Sequence, residues 1–186
     1  MMFVVALSAV LLAANAAGLS SGSPPEPGKK LDIREMTQVN GILQVIRRSH
    51  HVRTNHTCLS AKKITKISET QYKYQLRSRN GRTPSYPYVT DEVIVNLFES
   101  TSNSKVYEAR YTSRVTGLTV KLTLKKKHLD KCFVLWVENS DEDNGCELLM
   151  NASAFDGIIP IECARYYERH CSHRSVELHR SDCIYN

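Results

Sequence analysis

The residues with the most definite chemistry to offer are six cysteines: Cys58, Cys132, Cys146, Cys163, Cys171 and Cys183. In an oxidising compartment an even set reads as three disulfides, with fifteen pairings open. His170, His173 and His179 lie among the last of them and invite a zinc reading. In a secreted chain, however, those cysteines serve better as bridges, so no metal is expected. Catalytic chemistry finds little support. No G-x-S-x-G, H-E-x-x-H or P-loop occurs, and no cysteine is left over as a nucleophile. Glu147 and Asp91 with a histidine would be the one acid–base set, and nothing in the sequence orients it. The chain reads as a non-enzyme without a cofactor.

The oxidising address rests on three signals. Met1–Ala17 carries no charge, has an apolar run from Phe3 to Ala14, and ends near Ala14-Asn15-Ala16, the A-x-A form that signal peptidase accepts. That run is shorter than the ~20 residues a membrane helix needs, and no later stretch is long enough. Residues 1–17 are therefore read as a signal peptide and the protein as secreted. Asn55-His56-Thr57 and Asn151-Ala152-Ser153 are N-glycosylation sequons of the kind found on secreted chains, with Asn55 and Asn151 as acceptors. The cysteine parity agrees with both.

A chain of 186 residues, with 41% hydrophobic and 24% charged residues, supports one domain with a core of its own. Residues 18–30 are rich in Ser, Gly and Pro and read as a flexible leader, leaving 31–186 as the folded domain. The net charge of +6 admits acidic partners. The Lys125-Lys126-Lys127-His128 run and the Arg77, Arg79, Arg82 group nevertheless read as solvated turns. No nucleic-acid motif is present.

Leu31–Val39 spaces Ile33, Met36 and Val39 by three, which predicts a short helix, with Asp32 as its cap and Glu35 completing a capping box. Eight β-rich pieces follow: Ile42–Ser49, Thr57–Ile67, Gln71–Ser78, Tyr88–Phe98, Lys105–Ser113, Leu118–Leu124, Lys131–Glu138 and Cys146–Met150. Several alternate with period two, as in Val93, Val95, Leu97 and Leu118, Val120, Leu122, Leu124. Polar turns separate them. Eight short antiparallel strands in sequence fit an up-and-down barrel or a sandwich. Ile161–His173 then places Cys163, Tyr167 and Cys171 four apart, on one face of a helix.

Strand parity favours one disulfide arrangement without excluding the others. If Cys132 joins Cys163 and Cys146 joins Cys171, the terminal helix is fastened to the outer wall over Val134, Trp136 and Leu148. Phe133, Leu135, Val137, Glu147 and Leu149 then point inward. Cys58 is left for Cys183.

With these features in view, the chain resembles the salivary lipocalins of ticks, the family of the histamine-binding proteins. The likeness spans nearly the whole mature sequence. Its specific parts are Lys131-Cys132-Phe133-Val134-Leu135-Trp136-Val137, Gly145-Cys146-Glu147-Leu148-Leu149, Ile159-Pro160-Ile161-Glu162-Cys163 and the terminal Cys183. The order of Cys58, Cys132, Cys163 and Cys183 looks like the family's two standard bridges, leaving Cys146–Cys171 as an extra one. The resemblance implies a mainly β fold: an eight-stranded antiparallel barrel with an N-terminal helix and a C-terminal helix on its flank. Family members capture histamine, serotonin, leukotrienes or fatty acids, or bind immune proteins.

Set against the amine cage of the histamine binders, Glu147 matches one acid and Asp91 is aligned with another. Ile46, Ser49, Val52, Leu122 and Phe133 stand where the cage has acids and aromatics. The expected lining is therefore Ile46, Val52, Val93, Val95, Val120, Leu122, Phe133, Leu135 and Leu149, with Tyr107 and Tyr111 as polar-tipped aromatics. Such a lining suits an apolar ligand fixed by one or two polar groups. Within the family this resembles the Japanin-like branch, which modulates host dendritic cells and holds cholesterol. The expectation is a secreted, monomeric immune modulator carrying a sterol-type ligand, with a host immune-cell surface protein as its second partner. The alternatives are a scavenger of histamine, serotonin, leukotriene or fatty acid, and a protein-binding inhibitor with an incidental ligand.

Overall fold

The computed structural model describes residues 31–51, 54–140, 143–171 and 174–186, without the side chains of 103 and 104. Residues 1–17 and 18–30, read above as signal peptide and leader, and Val52 lie outside the described residues. Eight strands carry the fold: β1 (Ile42–Arg48), β2 (Thr57–Ser68), β3 (Gln71–Arg79), β4 (Tyr88–Ser100), β5 (Asn103–Thr112), β6 (Thr119–His128), β7 (Cys132–Asn139) and β8 (Gly145–Asn151). All eight fall on the β-rich pieces of the sequence, with ends shifted by a few residues. Each pairs antiparallel with the next in sequence, and β1 closes the ring by pairing with both β8 and β2. The result is an up-and-down barrel; closure removes the sheet edges that a sandwich of the same strands would expose.

One end of the barrel is shut by the segment before β1. It forms a single helical turn, α1 (Arg34–Thr37), shorter than the predicted Leu31–Val39. The capping box does not form. Asp32 Oδ1 instead accepts from the backbone N–H of Arg34 at 2.9 Å, and its carboxylate pairs with that residue's guanidinium. Glu35 pairs with Lys127 on β6 rather than reaching back toward Asp32. What holds the turn is packing, since Ile33, Met36 and Val39 are buried in the cluster that fills this end.

The second helix, α2 (Ile161–His170), lies against the outside of β6, β7 and β8. It ends three residues before the predicted His173, because Cys171 turns extended to reach Cys146. Cys132–Cys163 and Cys146–Cys171 fasten the helix to the wall over Val134 and Leu148, both almost fully buried, with Trp136 packed beside them. The third bridge joins Cys58 to Cys183. By restricting the unfolded chain each bridge typically contributes ~2–4 kcal/mol.

A short ninth strand, β9 (Val176–Glu177), has no counterpart in the sequence reading. Two residues give no period to detect. It pairs with the end of β1, and Leu178 just after it is 1% exposed, its side chain packed in the interior cluster. The tail beyond it is strapped down by Cys58–Cys183 and by Arg79, whose buried guanidinium reaches Asp182 at 3.2 Å.

Candidate ligand-binding site

Inward residues do not fill the barrel. Phe133, Tyr72 and Leu124 pack with Ile33 and Met36 at the α1 end, and a cavity of about 630 Å³ occupies the rest up to the open mouth. That is within the ~300–1,000 Å³ range of small-molecule sites. Its shaft is apolar: Leu43 and Val45 from β1, Leu59 from β2, Leu97 from β4, Ala109 from β5, Val137 from β7, and Val95, Val120, Leu122, Leu135 and Leu149. Ile33 and Met36 of the α1 segment form part of the floor.

Polar groups gather at the mouth end, where Arg48, His50, Glu147, Asp91 and Tyr111 line the wall. His50 and Arg48 are both buried. His50 Nε2 and Glu147 Oε1 are 3.1 Å apart, and Arg48 Nη2 donates to the Thr54 carbonyl at 3.4 Å. Gly145 makes this approach possible, since a Cβ there would meet His50 N at 2.8 Å. Asp91 Oδ2 accepts from Ser113 Oγ at 2.7 Å, Arg114 N at 3.0 Å and Val115 N at 3.4 Å. Tyr111 Oη makes no hydrogen bond among the described residues. Burial raises its phenol pKa, and the nearby Glu147 and Asp91 carboxylates add to the shift. Burial likewise pushes the Tyr74 phenol up to about 12.

Of the thirteen expected lining residues, the structure brings eight together on the cavity wall: Asp91, Val95, Tyr111, Val120, Leu122, Leu135, Glu147 and Leu149. Val52 lies outside the described residues. The other four need correction. Ile46 is buried outside the barrel, in the cluster under α2, on the face opposite its inward neighbour Val45, at a bulge in β1 between Val45 and Arg47. Leu43 and Val45 face inward before the bulge, and Arg48 and His50 after it, since one extra residue flips the parity. Val93 is buried but does not reach the cavity; its cross-strand partner Tyr74 does. Phe133, fully buried, fills the closed end instead. Tyr107 sits there too, its carbonyl accepting from Ile33 N at 3.2 Å and its ring beneath the Arg34 guanidinium.

Sequence reasoning missed Arg48 and His50, because nothing in a single sequence marks a bulge. Val137 and Leu97 carried a usable signal, each standing in a row already read as alternating. Of the two sequon acceptors, Asn55 is exposed at the rim between lining residues Thr54 and His56. Asn151 is 8% exposed; its Oδ1 accepts from Ser153 N and Oγ, while its Nδ2 takes part in no hydrogen bond among the described residues.

A family model described as tick histamine binding protein matches residues 33–185. A search of curated proteins finds no match. Among solved structures, the siderocalin Ex-FABP, described as functioning through dual ligand specificities, superposes with a TM-score of 0.53. The match covers 79% of this chain and 95% of that one at 10% identity, a likeness of fold.

Proposed function

Given that the chain belongs to the tick histamine-binding protein family of non-enzymatic, small-ligand-binding lipocalins, we propose that it carries an elongated apolar molecule with one neutral polar head, of the sterol type. The observation behind this is the division of the cavity into an apolar shaft and a polar collar whose carboxylates are already engaged. A protonated amine taken out of water needs carboxylates free to neutralise it. Here Glu147 is beside His50, with the Arg48 cation on the same wall, and Asp91 already accepts three hydrogen bonds. A hydroxyl needs only a hydrogen-bonding partner, and Tyr111 Oη supplies one. The shaft then provides the affinity at ~25 cal/mol for each Å² of apolar surface removed from water.

The test is competitive. Delipidated protein from eukaryotic secretion is titrated with a fluorescent sterol and with histamine, and lipid extracts of undelipidated protein are analysed by mass spectrometry. Submicromolar sterol binding with a co-purified sterol supports the reading; tight histamine binding with no sterol in the extract reverses it. The extension to host dendritic cells rests on the likeness to the Japanin-like branch. Cytokine secretion by cells treated with loaded, empty and loop-mutated protein tests that part separately.

A further inference from the structure

The barrel's ladders do not all reach the mouth. Pairing of β3 with β4 continues to Arg79/Tyr88, of β5 with β6 to Thr112/Thr119, of β6 with β7 to Val120/Asn139, and of β7 with β8 to Val137/Gly145. Two seams stop short. The ladder between β1 and β2 ends at Gln44/Ser60, but β9 pairs with the end of β1 there. Leu178 N donates to the Ile46 carbonyl at 2.8 Å, and Cys58 N donates to the Leu178 carbonyl at 2.9 Å, so the C-terminal strap fills that gap.

Among the described residues the second seam has no such filler. The ladder between β4 and β5 ends at Asn96/Arg110, although β4 continues to Tyr88 and β5 to Thr112. Beyond that point the Asp91 carboxylate reaches from β4 to Ser113, Arg114 and Val115, where β5 leaves the sheet. The loop it holds, residues 113–118, is part of the cavity wall. Val115, Thr116 and Leu118 line the cavity, yet Val115 is 57% exposed. Gly117 sits at the tip with φ +74, and a Cβ built there would meet nothing within 4 Å. The loop is thus tied on its β4 side and unobstructed at its tip.

We propose that the mouth end of the β4/β5 seam is the passage by which ligand enters and leaves, with Asp91 as its latch. Asp91 stands on the cavity wall, and in this scheme it acts on the ligand through the loop it positions. The proposal rests on the functional reading for the identity of its cargo, but the latch itself can be tested without any ligand. Charge-assisted hydrogen bonds that three groups donate to one carboxylate are stronger than neutral ones. All three donors meet Oδ2, so Asn at this position keeps the shape and an acceptor oxygen for them but loses the charge.

Hydrogen exchange on ligand-free Asp91→Asn should show the Arg114 and Val115 amides, which bond to Asp91, exchanging ~10-fold faster or more, roughly the effect of losing one strong hydrogen bond. The β5–β6 ladder should keep its protection. Ser113→Ala removes one donor to Asp91 and the acceptor of Thr116 N but leaves the charge, so it should shift the Arg114 and Val115 amides less. Unchanged protection of the loop in both variants overturns the latch. In stopped-flow exchange of dehydroergosterol, Asp91→Asn should speed both association and release, each by ~10-fold. Asn144→Ala serves as control, because Asn144 Oδ1 accepts from Asn139 N across a different mouth loop; it should leave both rates unchanged.

A fall in affinity with an unchanged association rate would mean that Asp91 holds ligand directly, and the proposal fails. Equal acceleration by Asn144→Ala would place the passage elsewhere. If the unmodified protein takes up no sterol at all, the functional reading falls and the hydrogen-exchange result alone decides the latch.

Discussion

Phe133→Ala and Leu135→Ala separate a filled end of the barrel from a hollow one. Both side chains point inward from β7, two residues apart, and both are almost wholly buried. Phe133 is surrounded by neighbours, whereas Leu135 has the cavity on one side. Removing a phenylalanine from a filled core costs ~3–5 kcal/mol, because the neighbours close the void only in part. Leucine truncation spans ~2–5 kcal/mol, and Leu135, already lacking contacts on its cavity side, belongs near the lower limit. In a domain of this size ~1 kcal/mol moves Tm by ~2–4 °C. Ligand-free Phe133→Ala should therefore melt ~6–20 °C lower, and Leu135→Ala ~4–8 °C lower. Affinity for an apolar ligand should show the opposite order. Leu135→Ala removes contact worth about two methylene groups, ~1.6 kcal/mol or roughly fifteenfold, while Phe133→Ala should stay within about threefold of the unmodified protein. Calorimetry with the disulfides intact gives the first pair of values, and titration with a fluorescent sterol gives the second. Equal loss of affinity in both variants, or no loss in Leu135→Ala, would refute the division of the interior.

Other outcomes follow from the same structure. Raised phenol pKa values mean that the folded state keeps protons which the unfolded chain releases near pH 10. Stability should be complete below ~pH 10 and decline as pH rises through about 12, the value for Tyr74, with Tyr111 and Tyr185 shifted in the same direction by burial. Denaturant midpoints measured from pH 9 to 12 check the sign. Replacing Cys58 and Cys183 together by serine should cost ~2–5 kcal/mol and expose residues 179–186 to limited proteolysis, since the bridge and Arg79 hold that strap; an uncleaved tail would count against this. In secreted protein, Asn55→Gln should remove one glycan, read as a mobility shift abolished by glycosidase, because Asn55 stands exposed at the rim.

Local pattern carried most of the architecture. Period-two alternation placed eight strands, and a four-residue spacing placed Cys163, Tyr167 and Cys171 on one helical face. Parity on β7 and β8 then told inside from outside: Leu135, Val137, Glu147 and Leu149 face the cavity, and Trp136 and Leu148 lie under α2. Side-chain direction along an unbroken strand is a local property, so one sequence suffices to fix it. On β1 a bulge reverses the faces; there Ile46, which the likeness to the amine cage put in the lining, lies outside, and Arg48 and His50 line the wall unforeseen.

What alternation cannot encode is how deep an inward residue sits and what meets it there. Phe133 and Leu135 share a row and a face, yet one is core and the other wall, because α1, folded back from the chain's far end, fills only the lower barrel. Asp91 and Glu147 read alike as pocket acids. Only the folded chain brings Ser113 to the first and His50 to the second, and those long-range contacts decide what charge the cavity still presents.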